Sequence, residues 1–190
     1  MVNRRKNLYM MSVSPKTRIE FIEGHKQRIY EVCAGKVLQD ENAYEIASYV
    51  YSKGKKHSEQ EEKFNNLYEK ALFESFCLIC LGGEEKKESS SPPRTCEEYI
   101  EKNRQRIYEV CAGKVLHDEK AAEISSYVYT KGTKHSQEKN RFNCLYYESL
   151  NDLATEQGIE KDIRKSWLKS QGMELLNREI YEERIKAGEV

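Results

Sequence analysis

The sequence predicts an all-α fold: two similar small three-helix-bundle units joined by a flexible linker, the second extended by C-terminal helices. Three observations carry this. The 190 residues contain only three prolines and ten glycines, which leaves long uninterrupted segments. Glu, Lys, Ala and Leu are abundant, and these are good helix formers. Most tellingly, the chain repeats itself. Gln27-Arg-Ile-Tyr-Glu-Val-Cys-Ala-Gly-Lys-Val-Leu38 recurs unchanged as Gln105 to Leu116, an offset of 78 residues. Over 27–72 and 105–150, the two copies share 31 of 46 positions without a gap.

The expected layout is an N-terminal tail over 1–17, a truncated first unit over 18–81, a linker over 82–94, a second unit over 95–157 and a helical extension over 158–190. The linker, Gly82-Gly-Glu-Glu-Lys-Lys-Glu-Ser-Ser-Ser-Pro92-Pro93, is charged and rich in small residues, a flexible composition.

Elements are clearest in the second unit. Thr95-Cys-Glu-Glu98 is a capping box opening a first helix. Cys96, Tyr99, Ile100, Ile107, Val110, Cys111 and Val115 follow at three-to-four spacing, a stripe running to about Leu116. Gly113 weakens the end of that helix. Asp118 is the expected N-cap of a second helix with stripe Ala121, Ile124, Ser125, Val128 and Tyr129, closed by Lys131-Gly132. Ser136 caps a third, with stripe Phe142, Leu145, Tyr146, Ser149, Leu150 and Leu153, stopped by Gln157-Gly158. A fourth carries Ile159, Ile163 and Trp167 and reaches Gly172; a fifth carries Met173, Leu176 and Ile180. An ~60-residue unit is marginal alone. The helices after Gly158 are therefore expected to complete the second core. The first unit must use Phe73 to Leu81 or lean on its partner.

Charge and composition exclude several classes. Lys+Arg and Asp+Glu each number 32, and zero net charge removes the simplest case for bulk electrostatic binding of nucleic acid. The most apolar stretch, Ala71 to Leu81, contains Glu74 and is far short of the ~20 residues a bilayer crossing needs. The basic start is followed by no apolar run of signal-peptide type, so an intracellular, non-secreted protein with free thiols is expected. Cys77-Leu-Ile-Cys80 is a lone CxxC, one helical turn apart, and reads as two small apolar residues on one face; no metal site or cofactor is expected. Thirteen tyrosines suggest half-wet packing surfaces.

No catalytic constellation emerges, so the expectation is a protein that is not an enzyme. Lys56-His57-Ser58 and Lys134-His135-Ser136 read as solvated turns ending in a helix cap. Asp40-Glu41 and Asp118-Glu119 read as acids complementing a helix dipole. The repeated cysteines Cys33 and Cys111 are the residues an enzymatic reading would need. What remains is base at the turn and third-helix start of each unit. The candidate partner-binding residues are Lys53, Lys56 and Lys63 in the first and Lys131, Lys134, Lys139 and Arg141 in the second.

The second unit resembles the central domain of the eukaryotic transcription elongation factor TFIIS, a helical bundle. The likeness rests on a first helix ending in Tyr108-Glu109-Val110 to Val115-Leu116, then Ala121-Ala122-Glu123-Ile124 with Tyr127-Val128-Tyr129. Lys139-Asn140-Arg141 then opens a third helix that ends in Leu150-Asn151-Asp152-Leu153. It covers about sixty residues and, through the repeat, a similar span of the first unit. The resemblance implies docking on RNA polymerase II or an associated transcription complex in the nucleus, with Lys139 and Arg141 among the contacts. The basic turns themselves leave nucleic acid as a weak secondary ligand, bound in a salt-dependent way. The family's third helix carries more arginines. Its zinc ribbon, with four cysteines and an acidic pair, has no counterpart here, since no cysteine follows Cys144. Transcript-cleavage stimulation therefore does not carry over. The alternative is a helical interaction scaffold unrelated to transcription, marked by an exposed Tyr-rich patch.

Overall fold

A computed structural model describes residues 17–52, 58–80, 93, 95–118, 120–130 and 136–170. The fold is all-α. Among the described residues there are seven helices and no strand: α1 (Arg18–Gln39), α2 (Ala43–Ser52), α3 (Ser58–Cys80), α4 (Cys96–His117), α5 (Ala121–Thr130), α6 (Ser136–Glu156) and α7 (Lys161–Ser170). Helices α1–α3 carry the first copy and α4–α6 the second, in matching order and nearly matching length. The expected linker lies almost wholly outside the described residues, as do the tail 1–16 and the expected helix around Met173, Leu176 and Ile180.

Local chemistry sets the boundaries. Thr17 and Thr95 cap α1 and α4: each hydroxyl accepts from the backbone N–H three residues on, Glu20 at 3.1 Å and Glu98 at 3.2 Å. Asp118 serves both helices: its N–H closes α4 on the Val115 carbonyl, while at the α5 start its carboxylate accepts from the Lys120 N–H at 2.8 Å and its carbonyl from the Ala121 N–H at 3.0 Å. The carboxylate bond is an Asx turn, in which a short acidic side chain bonds the backbone two residues ahead. Asp40 does the same through Asn42. The helix α1 is bent at His25, whose ring nitrogen lies 2.9 Å from the Phe21 carbonyl. The residue before it is Gly24, and a glycine beside a side chain inserted into the helical ladder is a sufficient cause of a kink.

The end of α6 is the best-defined stop. Gly158 takes φ +76°, the Ile159 N–H bonds the Ala154 carbonyl at 2.9 Å and the Gly158 N–H bonds Thr155 at 3.0 Å. This is a Schellman closure, which needs a residue at ease in the left-handed region. It reverses the chain so that α7 returns over α4 and α6. Tyr99, Ile107, Leu150, Leu153, Ala154 and Trp167 form the cluster that results. The extension thus completes the second core, as the marginal size of the unit requires. Of the expected stripe, Trp167 is buried while Ile163 is 40% exposed.

Each copy keeps a smaller apolar cluster of its own, but the main core is shared between them. The largest apolar cluster takes Val32, Cys33, Ala34, Val37 and Leu38 from α1 and Cys111, Ala112, Val115 and Leu116 from α4, with Ile46 and Ile124. The identical twelve-residue stretches lie against each other. Gly35 is flanked by Tyr108 and Glu109, and Gly113 by the equivalent Tyr30 and Glu31. Contacts that repeat with the partners exchanged define an approximate two-fold relation, the logic of a symmetric dimer built within one chain. The small Cys-Ala-Gly run lets the helices approach, and the first unit leans on the second.

Candidate functional site

The charged face named by the sequence is only partly described. Lys53, Lys56, Lys131 and Lys134, with His57 and His135, lie outside the described residues. On the first turns of α3 and α6, Lys139 is exposed, while Lys63 and Arg141 are half-buried. Arg141 is already engaged: its guanidinium donates to Asp118 at 2.5 Å, with both side chains about three-quarters covered. The acid at the α4–α5 junction thus offsets base at the α6 start. Lys139 is left as the described basic residue of that face most open to solvent among the seven candidates.

The buried ionisable and nucleophilic groups are occupied by packing. Glu31 and Glu109 are at most 5% exposed, and each meets an arginine from the other copy: Arg28 with Glu109, and Arg106 with Glu31. Gln27 and Gln105 add a hydrogen bond to the carboxylate on their own helix, at 3.0 and 3.1 Å. Two carboxylates at an interface are tolerable because each is charge-compensated and hydrogen-bonded.

Cys33 and Cys111 are fully buried. Burial pushes both thiols up to about 12, against the milder pull of Lys36 and Lys114. Neither is a thiolate near neutral pH, and the thiolate is the reactive form. Burial likewise raises Tyr30 and Tyr108 to about 12, with the neighbouring Cys33 and Cys111 adding a smaller push. The buried hydroxyls of Ser125 and Ser149 donate to the carbonyls of Ala121 and Leu145. Cys77 and Cys80 sit half-buried along α3, and Cys80 packs against Phe21, Ile29 and Leu72. No three His, Cys, Asp or Glu side chains are grouped to hold a metal ion among the described residues. Nor is any described helix long and apolar enough to cross a membrane.

Exposed apolar surface collects where sequence reasoning did not look. Tyr44, Tyr51 and Tyr129 are exposed, and the last turns of α3 expose four more large apolar side chains, Phe73, Phe76, Leu78 and Ile79. The sequence signal for these was the loss of repeat identity after Leu72, where apolar residues replace the polar ones of the second copy. The reciprocal Arg–Glu pairs were also missed. Their signal was an invariant stretch carrying Arg and Glu three residues apart beside small residues.

The class is therefore an all-α protein that pairs two copies of one helical motif around a shared core. Compared with known proteins, the chain matches no family model, no curated sequence and no solved structure.

Proposed function

We propose that this is a non-catalytic helical binding protein that docks on RNA polymerase or an associated nuclear transcription complex and does not stimulate transcript cleavage. The observation supporting a binding role is the fate of its reactive groups. The repeated cysteines and the buried carboxylates are consumed by the contact between copies, whereas the α6 start presents Lys139 to solvent. A polar outer surface on a fixed helical frame suits recognition rather than bond-making. The polymerase as partner rests on the likeness of the second unit to the TFIIS central domain.

The test is a pull-down of RNA polymerase II with the full chain and Lys139→Glu. Arg141 is a poor choice because its substitution also strips Asp118 of its partner. Charge reversal at Lys139 should weaken capture several-fold and leave the helical circular-dichroism signal unchanged. Capture that is undiminished, or absent from the start, removes the docking claim. The exposed side chains of Phe73, Phe76, Leu78 and Ile79 favour a second reading, a scaffold for helical partners outside transcription, since exposed apolar surface marks a contact site.

A further inference from the structure

The internal repeat provides a control for reading that surface. Under the 78-residue offset, Phe21, Leu72 and Phe76 correspond to Tyr99, Leu150 and Ala154. In the second copy those three lie in the cluster that covers Trp167, whose ring centroid is 5.1 Å from that of Tyr99. In the first copy the same positions, with Phe73, line an open groove of about 400 Å³. Phe73 is 69% exposed and Phe76 38%. Arg18 and Glu69, paired at 2.6 Å, stand on its rim.

The differences between the seats are as informative as the likeness. In the second copy polar side chains clasp the returning chain. The Tyr99 hydroxyl donates to Gln157 at 2.9 Å, and Arg164 of α7 donates to Asn151 at 2.8 Å and also to Thr155. At the four positions matching Tyr99, Asn151, Thr155 and Gln157, the first copy has Phe21, Phe73, Cys77 and Ile79. Each polar clasp is replaced by an apolar or weakly polar side chain. Phe76 stands where the second copy has the small Ala154, and its ring centroid lies 5.3 Å from that of Phe21. The floor of the seat is thus closed from within, and Phe73 and Phe76 form its exposed surface. The chemistry that suits Arg164 is gone.

We propose that this groove receives an amphipathic helix of a partner protein. That helix carries an aromatic anchor like Trp167 and an apolar residue one turn before it, where α7 has Arg164. Aromatic side chains entering a pocket dominate such helix-in-groove contacts. Phe73 meets the apolar residue, the exposed part of Phe76 meets the aromatic ring, and Ile79, one turn after Phe76, extends the apolar surface along α3.

The probe is a fluorescein-labelled peptide of residues 159–170, titrated into the full chain and followed by anisotropy. A second peptide carries Arg164→Leu and a third Arg164→Leu with Trp167→Ala. The Leu peptide should bind saturably and at least threefold more tightly than the native sequence. The peptide without Trp should bind at least tenfold more weakly than the Leu peptide. Phe73→Asp in the protein, at a mostly exposed position, should weaken the Leu peptide at least tenfold while the circular-dichroism spectrum stays unchanged. Three results overturn the proposal. One is no saturable binding of the Leu peptide. Another is binding indifferent to Phe73→Asp, which means the peptide has displaced α7 from its own seat. The last is a dimer in sedimentation that Phe73→Asp dissolves, which makes a second copy of this chain the occupant.

Discussion

Removing the arginine from a reciprocal pair should cost more than neutralising the glutamate. The Glu109 side chain is 5% exposed and that of Arg28 25%; Glu31 and Arg106 stand at 7% and 28%. In Arg28→Met the stem still packs, but Glu109 is left buried with Gln105 at 3.1 Å and Arg106 only at 3.9 Å. An uncompensated buried charge of this kind costs about 3–4 kcal/mol. In Glu109→Gln the stranded arginine has a quarter of its surface in water and rehydrates. The loss there is about 2 kcal/mol, the worth of a charge-assisted hydrogen bond. The double variant should cost about 1–2 kcal/mol less than the sum of the singles, because the partners act as a unit. The equivalent set, Arg106→Met and Glu31→Gln, should agree within about 0.5 kcal/mol, the scatter ordinarily seen in such comparisons. Urea unfolding followed by circular dichroism reads all five variants, and the wild type should unfold in a single transition because both copies share the main core. Equal costs for Arg28→Met and Glu109→Gln would refute the desolvation argument. Two separated transitions in the wild type would refute the shared core.

Other outcomes follow from individual positions. Gly35 lies within a buried helix, and a Cβ there meets Glu109 Cγ at 3.6 Å, an ordinary contact; Gly35→Ala should stabilise by about 0.5–1 kcal/mol in urea melts through helix propensity. Gly35→Leu, which drives a larger side chain into Tyr108, should destabilise by about 1–3 kcal/mol. Ser75 is fully buried with no hydrogen-bond partner for its hydroxyl, so Ser75→Ala should gain about 1 kcal/mol on the same assay. The thiols of Cys33 and Cys111 rise from 9.0 to about 12 on folding, so the folded state holds its protons more tightly than the unfolded chain. Stability from these groups is intact below about pH 9 and falls as pH climbs toward 12, by up to about 1.4 kcal/mol per pH unit for each thiol. Thermal melts at pH 8 and pH 10.5 check this. At pH 8 a thiol reagent should label Cys77, Cys80 and Cys144 first and reach Cys33, Cys96 and Cys111 only on unfolding. Early labelling of Cys33 would sink the assignment.

Helix existence and most boundaries were legible in the residues because they depend on neighbours in the chain. The Thr95 cap uses a donor three positions away, and Gly158 closes α6 through bonds within five residues. Asp118 was legible in its bonds toward the α5 start, but its second role, closing α4 through its own N–H, was not, because a single residue between two helices can serve both ends. For the candidate site, the basic residues were readable as types, but the engagement of Arg141 by Asp118, 23 positions earlier, was not. The groove could not be found by periodicity, since its apolar track reads as an ordinary buried helix face until its neighbours are placed.

The residues alone determined that the chain is helical, that one unit is written twice, and that the second copy carries the extra helix its core needs. Only tertiary packing decided that the repeated stretch would be covered by its own duplicate. The apolar stripe of α1 fixes which face must leave water, and hydrophobic burial is indifferent to what covers it. The choice rests on directional contacts: arginines and glutamates that match only when two identical helices cross, where a run of small side chains leaves room for the approach. The same packing set Trp167 on Tyr99 in one copy and Phe76 on Phe21 in the other, leaving Phe73 and part of Phe76 exposed.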